Sequence, residues 1–281
     1  MLELLRLYGP PVLAVLGALA VDRVSEARGL TPPGFRTGWR RGIAGAILAG
    51  IFWMTIFFPL SQVGVAPPID LESVHRLELF GVHGLLLLAL LAWFLLGYAG
   101  VETEEGPIPL LGRQLGMTSR SPARELGVGL VAGLSTWPML LVVVSLTLVI
   151  LVSLGAEEVI PREPPELVVW IAALPVGWKL AIAASAGLVE ELFFRGFLQP
   201  RVGIALSTLL FVLAHTTYDQ PFMLVGITLL SLLFAGLVWW RQNVWSAVFA
   251  HFLFDAVQLL FVIPWALKSS GGSGMELLGS L

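Results

Sequence analysis

Long runs of apolar residues, separated by short polar loops, restrict the fold of this sequence more than any other feature. A helix needs about 20 apolar residues to cross the hydrocarbon core of a bilayer. Only 12% of the residues are charged and 57% are hydrophobic, whereas soluble domains carry about 25% charged residues. Too few charges remain to cover a water-soluble globule. The sequence therefore predicts an all-α fold, a polytopic bundle of transmembrane helices in a lipid bilayer.

About eight segments are predicted to cross the membrane, and the first and sixth are the shortest. In chain order they are Leu7–Val21, Ile43–Val65, Leu79–Val101, Gly127–Leu154, Gly177–Leu198, Gly203–Thr216, Phe222–Trp240 and Val244–Trp265. Leu167–Leu174, just before the fifth span, is predicted to lie at the membrane interface. We divide the chain into N-terminal helices with an Arg-rich cytoplasmic loop (residues 1–126), a transmembrane core that carries the polar motifs (127–266) and a flexible tail (267–281).

The basic residues are distributed unequally between the two sets of predicted loops and ends. One set holds Arg23, Arg28, Arg36, Arg40, Arg41, Arg113, Arg120, Arg124, Arg201 and Arg241, and the other holds Arg6, Arg76, Arg162, Lys179 and Lys268. Cytoplasmic loops are enriched in arginine and lysine. We therefore expect the first set to be cytoplasmic and both termini to lie outside. From the general character of the composition we also expect the cytoplasmic membrane of a prokaryote. A signal peptide cleaved after Ala20 is the alternative, but cleavage would place the most Arg-rich loop outside.

The charge and the residue composition exclude several classes of function. The net charge is only −3, and no basic stripe with interleaved aromatic residues is present, so we expect no nucleic-acid partner. The chain contains no cysteine, which excludes disulfides, thiolate zinc sites and a cysteine nucleophile.

Ionisable residues inside predicted spans are concentrated in the second half of the chain. Such residues are costly in a membrane and mark functional sites by default. Counting about 1.5 Å per residue from the predicted cytoplasmic ends gives similar depths of roughly 12–18 Å for Glu190, His215, His251 and Asp255. Three separate helices therefore bring polar groups to one level. His83, in the third span, is interpreted as an interhelical hydrogen-bonding residue.

The spacing of these residues suits the activation of water. Glu191 and Arg195 are four residues apart and can pair on one helix face, while Glu190 lies about 100° around the helix from Glu191. Glu190 and His215 could together take a proton from water, which would then attack a carbonyl carbon. His251 and a carboxylate four residues later share a face and could support the oxyanion. Ser185 is interpreted as a small packing residue.

The three motif-bearing segments resemble the family of CAAX proteases and bacteriocin-processing enzymes (CPBP), which includes the type II CAAX prenyl endopeptidases. That family carries E-E-x-x-x-R, F-x-x-x-H and H-x-x-x-N or H-x-x-x-D, each on its own transmembrane helix. In this chain the motifs read Glu190-Glu191 with Arg195, Phe211 with His215, and His251 with Asp255. The resemblance covers roughly Gly177–Trp265.

The resemblance implies an intramembrane glutamic endopeptidase that cleaves a membrane-associated protein or peptide. It implies that Glu190 is the base, that His215 is its partner, and that His251 and Asp255 stabilise the oxyanion. The remaining motif residues would be structural or would position the substrate: Glu191, Arg195 and Phe211. No cofactor is expected; a divalent metal ion held by Glu190, His215 and His251 is the alternative.

Two other functions are compatible with the same residues. The constellation could bind a peptide without cutting it, as in an immunity protein, or it could relay protons in a coupled transporter. For the peptidase, we expect cleavage near the cytoplasmic half of the bilayer. The sequence does not indicate whether the substrate is a prenylated peptide, a bacteriocin leader or a C-terminal sorting tail.

Overall fold

The computed structural model describes residues 2–63, 71, 74–102, 106–156, 158, 160, 165–216 and 221–269. Every regular element in these ranges is a helix, which confirms the predicted all-α class. Part of the predicted tail, up to Ser269, continues the last helix, and residues 270–281 lie outside the described residues. The division of the chain at residues 126 and 266 stays a prediction.

Six helices of the described residues are long and apolar enough to cross a membrane. They are α1 (Leu2–Ala27), α2 (Gly38–Gln62), α3 (Arg76–Tyr98), α5 (Pro122–Ser153), α9 (Pro221–Arg241) and α10 (Trp245–Ser269). Two short helices connect them, α4 (Pro107–Gln114) and α6 (Glu166–Ala173). The predicted interfacial segment corresponds to α6. Pro10 and Pro11 lie within α1 and do not end it.

The fifth and sixth predicted spans form helices of a different kind. α7 (residues 176–202) is continuous through an α-helical part, Val176–Glu190, a π-helical part, Glu191–Leu198, and a last turn, Gln199–Val202. It carries the charged residues of the first motif. α8 (Ile204–Ala214) has only 11 residues and is shorter than the roughly 20 that a full span needs. The predicted number of about eight spans is therefore approximate. Six helices have both the length and the apolar composition of a span. Two others, the more polar α7 and the shorter α8, carry the first two of the three motifs.

Arginine contacts join several helix ends at one end of the bundle, which we name the arginine end. Arg41 Nη2 lies 2.7 Å from Asp22 Oδ2, which joins the start of α2 to the end of α1. Arg28 Nη1 donates to the carbonyl oxygen of Pro200 at 2.8 Å and so reaches the end of α7. Arg40 Nη1 donates at 2.8 Å to the carbonyl oxygen just after α3.

The same end also gathers α5, α9 and α10. Arg241 Nη2 lies 2.7 Å from Glu125 Oε1, which joins the end of α9 to the start of α5. Ser246, in the first turn of α10, donates to the same carboxylate at 2.5 Å. At the other end, which we name the opposite end, the rings of Phe80 and Trp178 lie 6.1 Å apart, so α3 and α7 both start there.

Glycines allow α10 to approach its neighbours closely. An added Cβ at Gly133 of α5 would lie 2.9 Å from the carbonyl oxygen of Ala250. An added Cβ at Gly187 of α7 would lie 2.9 Å from the backbone nitrogen of Phe252 and 3.0 Å from the carbonyl oxygen of Val248. Small residues bring helix backbones together in membranes, where lipid is as apolar as leucine and dispersion contacts drive association.

We expect Gly187→Ala to separate α7 from α10, because the new methyl group meets backbone atoms that cannot move independently. Overpacking of this kind lowers the free energy of unfolding by about 1–3 kcal/mol. Thermal unfolding in detergent measures the change. Gly177→Ala is the matched control, since an added Cβ there meets no atom within 4 Å. An equal loss of stability in both variants would contradict this account of the packing.

Candidate active site

The three motifs meet at a cavity of about 420 Å³ between the helices. The predicted residues that line it are Glu190, Phe211, His215, His251 and Asp255. They come from α7, from α8 and the residue just after it, and from α10. The structure therefore brings together, at one cavity, side chains that stand up to 65 positions apart in the sequence. Glu191 and Arg195 lie behind this surface, with 0% and 1% of their side chains exposed.

The two neighbouring glutamates of α7 face different surroundings. Glu190 is the last α-helical residue and reaches the cavity, while Glu191 begins the π-helical part and is buried in protein. Single π-helical turns within α-helices are often found at functional sites. The separation of roles that the 100° spacing predicts is thus present in the geometry: one carboxylate faces the cavity and the other faces the helix packing.

The carboxylate of Glu190 is held through one oxygen only. His83 Nε2 lies 3.2 Å from Glu190 Oε1, and because a carboxylate accepts, the imidazole donates. The other oxygen, Oε2, has no hydrogen-bond partner within the described part of the chain. It lies 3.8 Å from His215 Nε2 across the cavity. Glu190 is therefore fixed in orientation, with one oxygen turned towards the second motif.

His215 is oriented by the end of its own helix. Its Nδ1 lies 2.7 Å from the carbonyl oxygen of Phe211. A carbonyl can only accept, so Nδ1 carries the hydrogen, and in the neutral ring Nε2 is an acceptor. The ring also packs against that of Phe211, with centroids 4.4 Å apart. Residue Phe211 thus has two physical roles: its backbone carbonyl fixes the tautomer of His215, and its ring fixes the direction of the imidazole.

A buried polar cluster lies beneath the cavity and joins α7, α9 and α10. Arg195 Nη1 and His251 Nδ1 both lie 2.9 Å from Glu191 Oε1. Arg195 Nη2 also donates to Ser231 Oγ of α9 at 3.1 Å. The guanidinium carbon lies 4.2 Å from the centre of the Phe211 ring, a favourable cation–π distance. The charges are thus compensated, as burial away from water requires.

The third motif is connected differently from the expected pairing. His251 and Asp255 share a face of α10, but His251 Nε2 lies 3.5 Å from Asp255 Oδ2, a long contact. The shorter bond of His251 runs to Glu191 on α7, at 2.9 Å. The pairing of Glu191 with Arg195 was predicted from their spacing, whereas the bond between Glu191 and His251 joins two helices and leaves no mark in sequence spacing.

Sequence reasoning missed the connection of His83 and Ser185 to the site. Ser185 Oγ lies 2.7 Å from His83 Nδ1, so the hydroxyl donates to the ring nitrogen opposite the one that contacts Glu190. The interpretation of His83 as an interhelical hydrogen-bonding residue agrees with this geometry, but Ser185 does more than pack. The available signal was that Ser185 lies five residues before Glu190 in the same helix.

The alternative metal ligands, Glu190, His215 and His251, already bond within the protein through some of their polar atoms. Within the described residues, no group of three or more histidine, aspartate and glutamate side chains is positioned to hold a metal ion. His215 uses Nδ1 on a carbonyl and His251 uses Nδ1 on Glu191, and metal-ligating histidines commonly make such bonds through the ring nitrogen that does not face the ion. The expectation that no cofactor is needed stays a prediction.

Comparison with known proteins supports the resemblance that the motifs predict. Residues 172–257 match the family model described as Type II CAAX prenyl endopeptidase Rce1-like, and the matched region contains all three motifs. The chain is also 35% identical over 69 residues to the uncharacterized protein YpbD of Bacillus subtilis (strain 168). That match covers 24% of this chain and 36% of the relative, so the chain spans about a third of the relative's length. No solved structure gives a significant match.

The matched family is a family of proteases, so the match supports peptidase activity in general. Together with the six apolar helices, it identifies an integral membrane protein with a protease-like region in its second half. The helices before residue 172 lie outside the matched region. Nonetheless one of them, α3, supplies His83 to the cavity.

We expect Arg195→Ala to destabilise the fold strongly, because it leaves Glu191 as a buried carboxylate with its cation removed. Loss of one partner of a buried ion pair lowers the free energy of unfolding by about 3–5 kcal/mol. Arg23→Ala is the control, since Arg23 pairs with Glu26 on the exposed surface and exposed pairs contribute little. Thermal unfolding in detergent compares the two; similar melting temperatures would contradict the assigned role of the buried cluster.

Proposed function

We propose that this protein is an intramembrane endopeptidase that hydrolyses a peptide bond in a membrane-associated protein or peptide. The observation that carries the proposal is the pair of acceptors across the cavity, Glu190 Oε2 and His215 Nε2, 3.8 Å apart. The family match of residues 172–257 supports the same reaction class. The relative from Bacillus is consistent with a prokaryotic cytoplasmic membrane, which we also propose as the location.

The two acceptors suit a water molecule that acts as the nucleophile. Water has two hydrogens, and it can donate one to Glu190 Oε2 and the other to His215 Nε2. Its oxygen lone pairs then face away from both side chains, towards a substrate carbonyl in the cavity. Glu190 takes the proton as the oxygen–carbon bond forms, and the same proton passes to the amine when the carbon–nitrogen bond breaks.

The third motif is assigned to the oxyanion. Asp255 and His251 line the cavity on the face of α10 that meets Glu190. His251 Nδ1 donates to Glu191, so Nε2 is a donor for the developing negative charge only in the imidazolium form, which the proposal assigns to His251. Asp255, 3.5 Å from this nitrogen, orients the ring. Glu191 and Arg195, buried behind the cavity surface, position these groups, and Phe211, on the cavity wall, positions His215.

The proposed reaction uses side chains without a metal ion, as expected from the sequence. An amide bond needs both a strong nucleophile and stabilisation of the tetrahedral intermediate. In the absence of a Lewis acid, the first comes from Glu190 with His215 and the second from His251. Peptide cleavage that a chelator removes, and that added zinc restores, would contradict this part of the proposal.

We expect Glu190→Gln and His215→Ala each to lower the rate of peptide cleavage by at least about 10²–10⁴-fold, the usual contribution of a general base. The variants should still fold, because the buried cluster around Glu191 is untouched. Glu166→Gln is the matched control, since it changes an exposed glutamate of α6. Termini of membrane proteins, compared by mass spectrometry between wild-type and Glu190→Gln strains, would identify the substrates.

Two results would redirect the proposal. A protein that binds peptides tightly but leaves all termini unchanged in the Glu190→Gln comparison would be a peptide-binding or immunity protein. Proton-coupled transport by vesicles with the purified protein, with no cleavage detected, would favour a transporter that uses Glu190 and the histidines as a relay.

His83 is proposed as a positioning residue for the base. It lies in α3, holds Glu190 Oε1 at 3.2 Å, and is itself held by Ser185 at 2.7 Å. This chain of two bonds leaves Oε2 as the oxygen that faces His215. Hydrogen bonds to charged groups contribute about 1.5–3 kcal/mol, which corresponds to roughly 10–100-fold in rate when the bond is needed in the transition state.

We expect His83→Leu to lower kcat by about 10–100-fold with little change in KM, since the substrate itself is not contacted. His83→Gln should retain part of the activity, because its amide nitrogen can replace Nε2 as a donor. Ser185→Ala should lower kcat in the wild-type background and have no further effect in His83→Leu. Additive losses in the double variant would show that the two residues act separately.

A further inference from the structure

The cavity that contains Glu190 extends towards only one end of the bundle. Beyond the motif residues and residues in the middle of α5, α7 and α9, its walls come from the start of α3 (Leu79), the start of α9 (Phe222 and Met223) and the end of α10 (Leu259 and Ile263). Side chains of α6 complete this wall. The named positions belong to the opposite end, where α3 and α7 start. The cavity therefore runs from the middle of the bundle to the opposite end.

The route from Glu190 towards the arginine end is closed by packing. Every residue of the π-helical part, Glu191–Leu198, is buried. At Gly196 an added Cβ would lie 2.5 Å from the carbonyl oxygen of Leu115, so the segment after α4 is packed directly against α7. A second cavity lies at the arginine end and is lined by Arg28, Arg113 and Arg195 among others. Glu190 is not part of its wall, and the buried Arg195 side chain lies between this cavity and Glu191.

The two ends of the bundle differ in their number of basic residues. The described basic residues at the arginine end are Arg23, Arg28, Arg36, Arg40, Arg41, Arg113, Arg120, Arg124, Arg201 and Arg241, and those at the opposite end are Arg6, Arg76, Lys179 and Lys268. Short loops rich in arginine and lysine stay in the cytoplasm. By this rule the arginine end is cytoplasmic and the opposite end is extracytoplasmic.

From the cavity and the charges together, we propose that the substrate enters the site from the extracytoplasmic side of the membrane. This inference rests on the proposed peptidase function. It differs from the expectation of cleavage near the cytoplasmic half of the bilayer, because that expectation considered the depth of the polar residues and not the end towards which the cavity extends. Cytosolic C-terminal peptides are then the wrong class of substrate.

The length and walls of the cavity define the substrate further. Glu190 lies 14 residues after the start of α7, a distance of roughly 20 Å along a helix. An extended peptide covers about 3.3–3.6 Å per residue. About six residues of the substrate must therefore be extended, outside any helix, to reach the carboxylate of Glu190. The wall around that path is mostly apolar, with Leu140, Met223 and Leu259 among its residues. The substrate is therefore an exported, membrane-anchored protein or peptide with an extended apolar stretch of this length on the outer side.

The absence of cysteine from the chain allows a direct test with single-cysteine variants and a charged, membrane-impermeant maleimide. Met223→Cys and Gln258→Cys place a thiol on the cavity wall, and Leu77→Cys marks the exposed surface of the opposite end. Thr118→Cys is the matched control at the arginine end, where it lies on an exposed surface. Each variant is labelled in intact cells and in inverted membrane vesicles, and unfolded protein serves as the reference for complete labelling.

We expect Leu77→Cys, Met223→Cys and Gln258→Cys to be labelled in intact cells, and Thr118→Cys only in inverted vesicles. Labelling of the two cavity variants only in inverted vesicles would overturn the proposal. Failure to label them from either side, with full labelling after unfolding, would overturn it as well, because the cavity would not open to water. Two separate cavity positions are tested, so that the result is still decisive when one of the two variants does not fold.

This experiment is independent of catalysis. If the cavity is labelled from the cytoplasm while Glu190→Gln still abolishes cleavage, the side of access is wrong and the peptidase proposal stands. If the cavity is labelled from outside but no peptide is cleaved, the side of access stands and the peptidase proposal falls. When both hold, the termini that change in the Glu190→Gln strain should map to extracytoplasmic segments of membrane proteins.

Discussion

The buried cluster of Glu191, Arg195 and His251 is the interaction on which the rest of the site depends. Ionised groups taken out of water need compensating charges and hydrogen bonds, and here one carboxylate oxygen of Glu191 accepts from both Arg195 and His251 at 2.9 Å. Because the partners stand on α7 and α10, and Arg195 also reaches α9, three helices are fixed in rotation and in height. Displacing any of them would expose an uncompensated charge to protein or lipid.

The candidate site uses this rigidity and shares His251 with the cluster. Glu190 lies one residue before Glu191, so the cluster that fixes the second glutamate also fixes the direction of the first. Its remaining freedom is removed by His83, which occupies one carboxylate oxygen. A base held in this way needs little rearrangement when charge develops, which is the physical advantage of a preorganised site.

The sequence predicted the features that depend on one segment of the chain, but not those that depend on contacts between separate helices. The apolar runs predicted the helical membrane fold, and four-residue spacing predicted the pair of Glu191 with Arg195, because both are local properties of one segment. The bond between Glu191 and His251, and the contact of His83 with Glu190, depend on how separate helices rotate against each other. No sequence pattern marks the π-helical part of α7 at Glu191–Leu198, so the predicted fifth span gave no sign of it.

The contact of His83 with Glu190 also bears on how the protein is divided. The three motifs lie within residues 172–257, but the side chain that holds Glu190 Oε1 is supplied by α3, 107 positions before Glu190. A chimaera that joined residues 172–257 to the first half of another membrane protein would carry every motif residue and still lack a partner for Oε1. The N-terminal half therefore contributes to the proposed reaction centre, and the smallest transplantable unit is larger than the region that matches the family model.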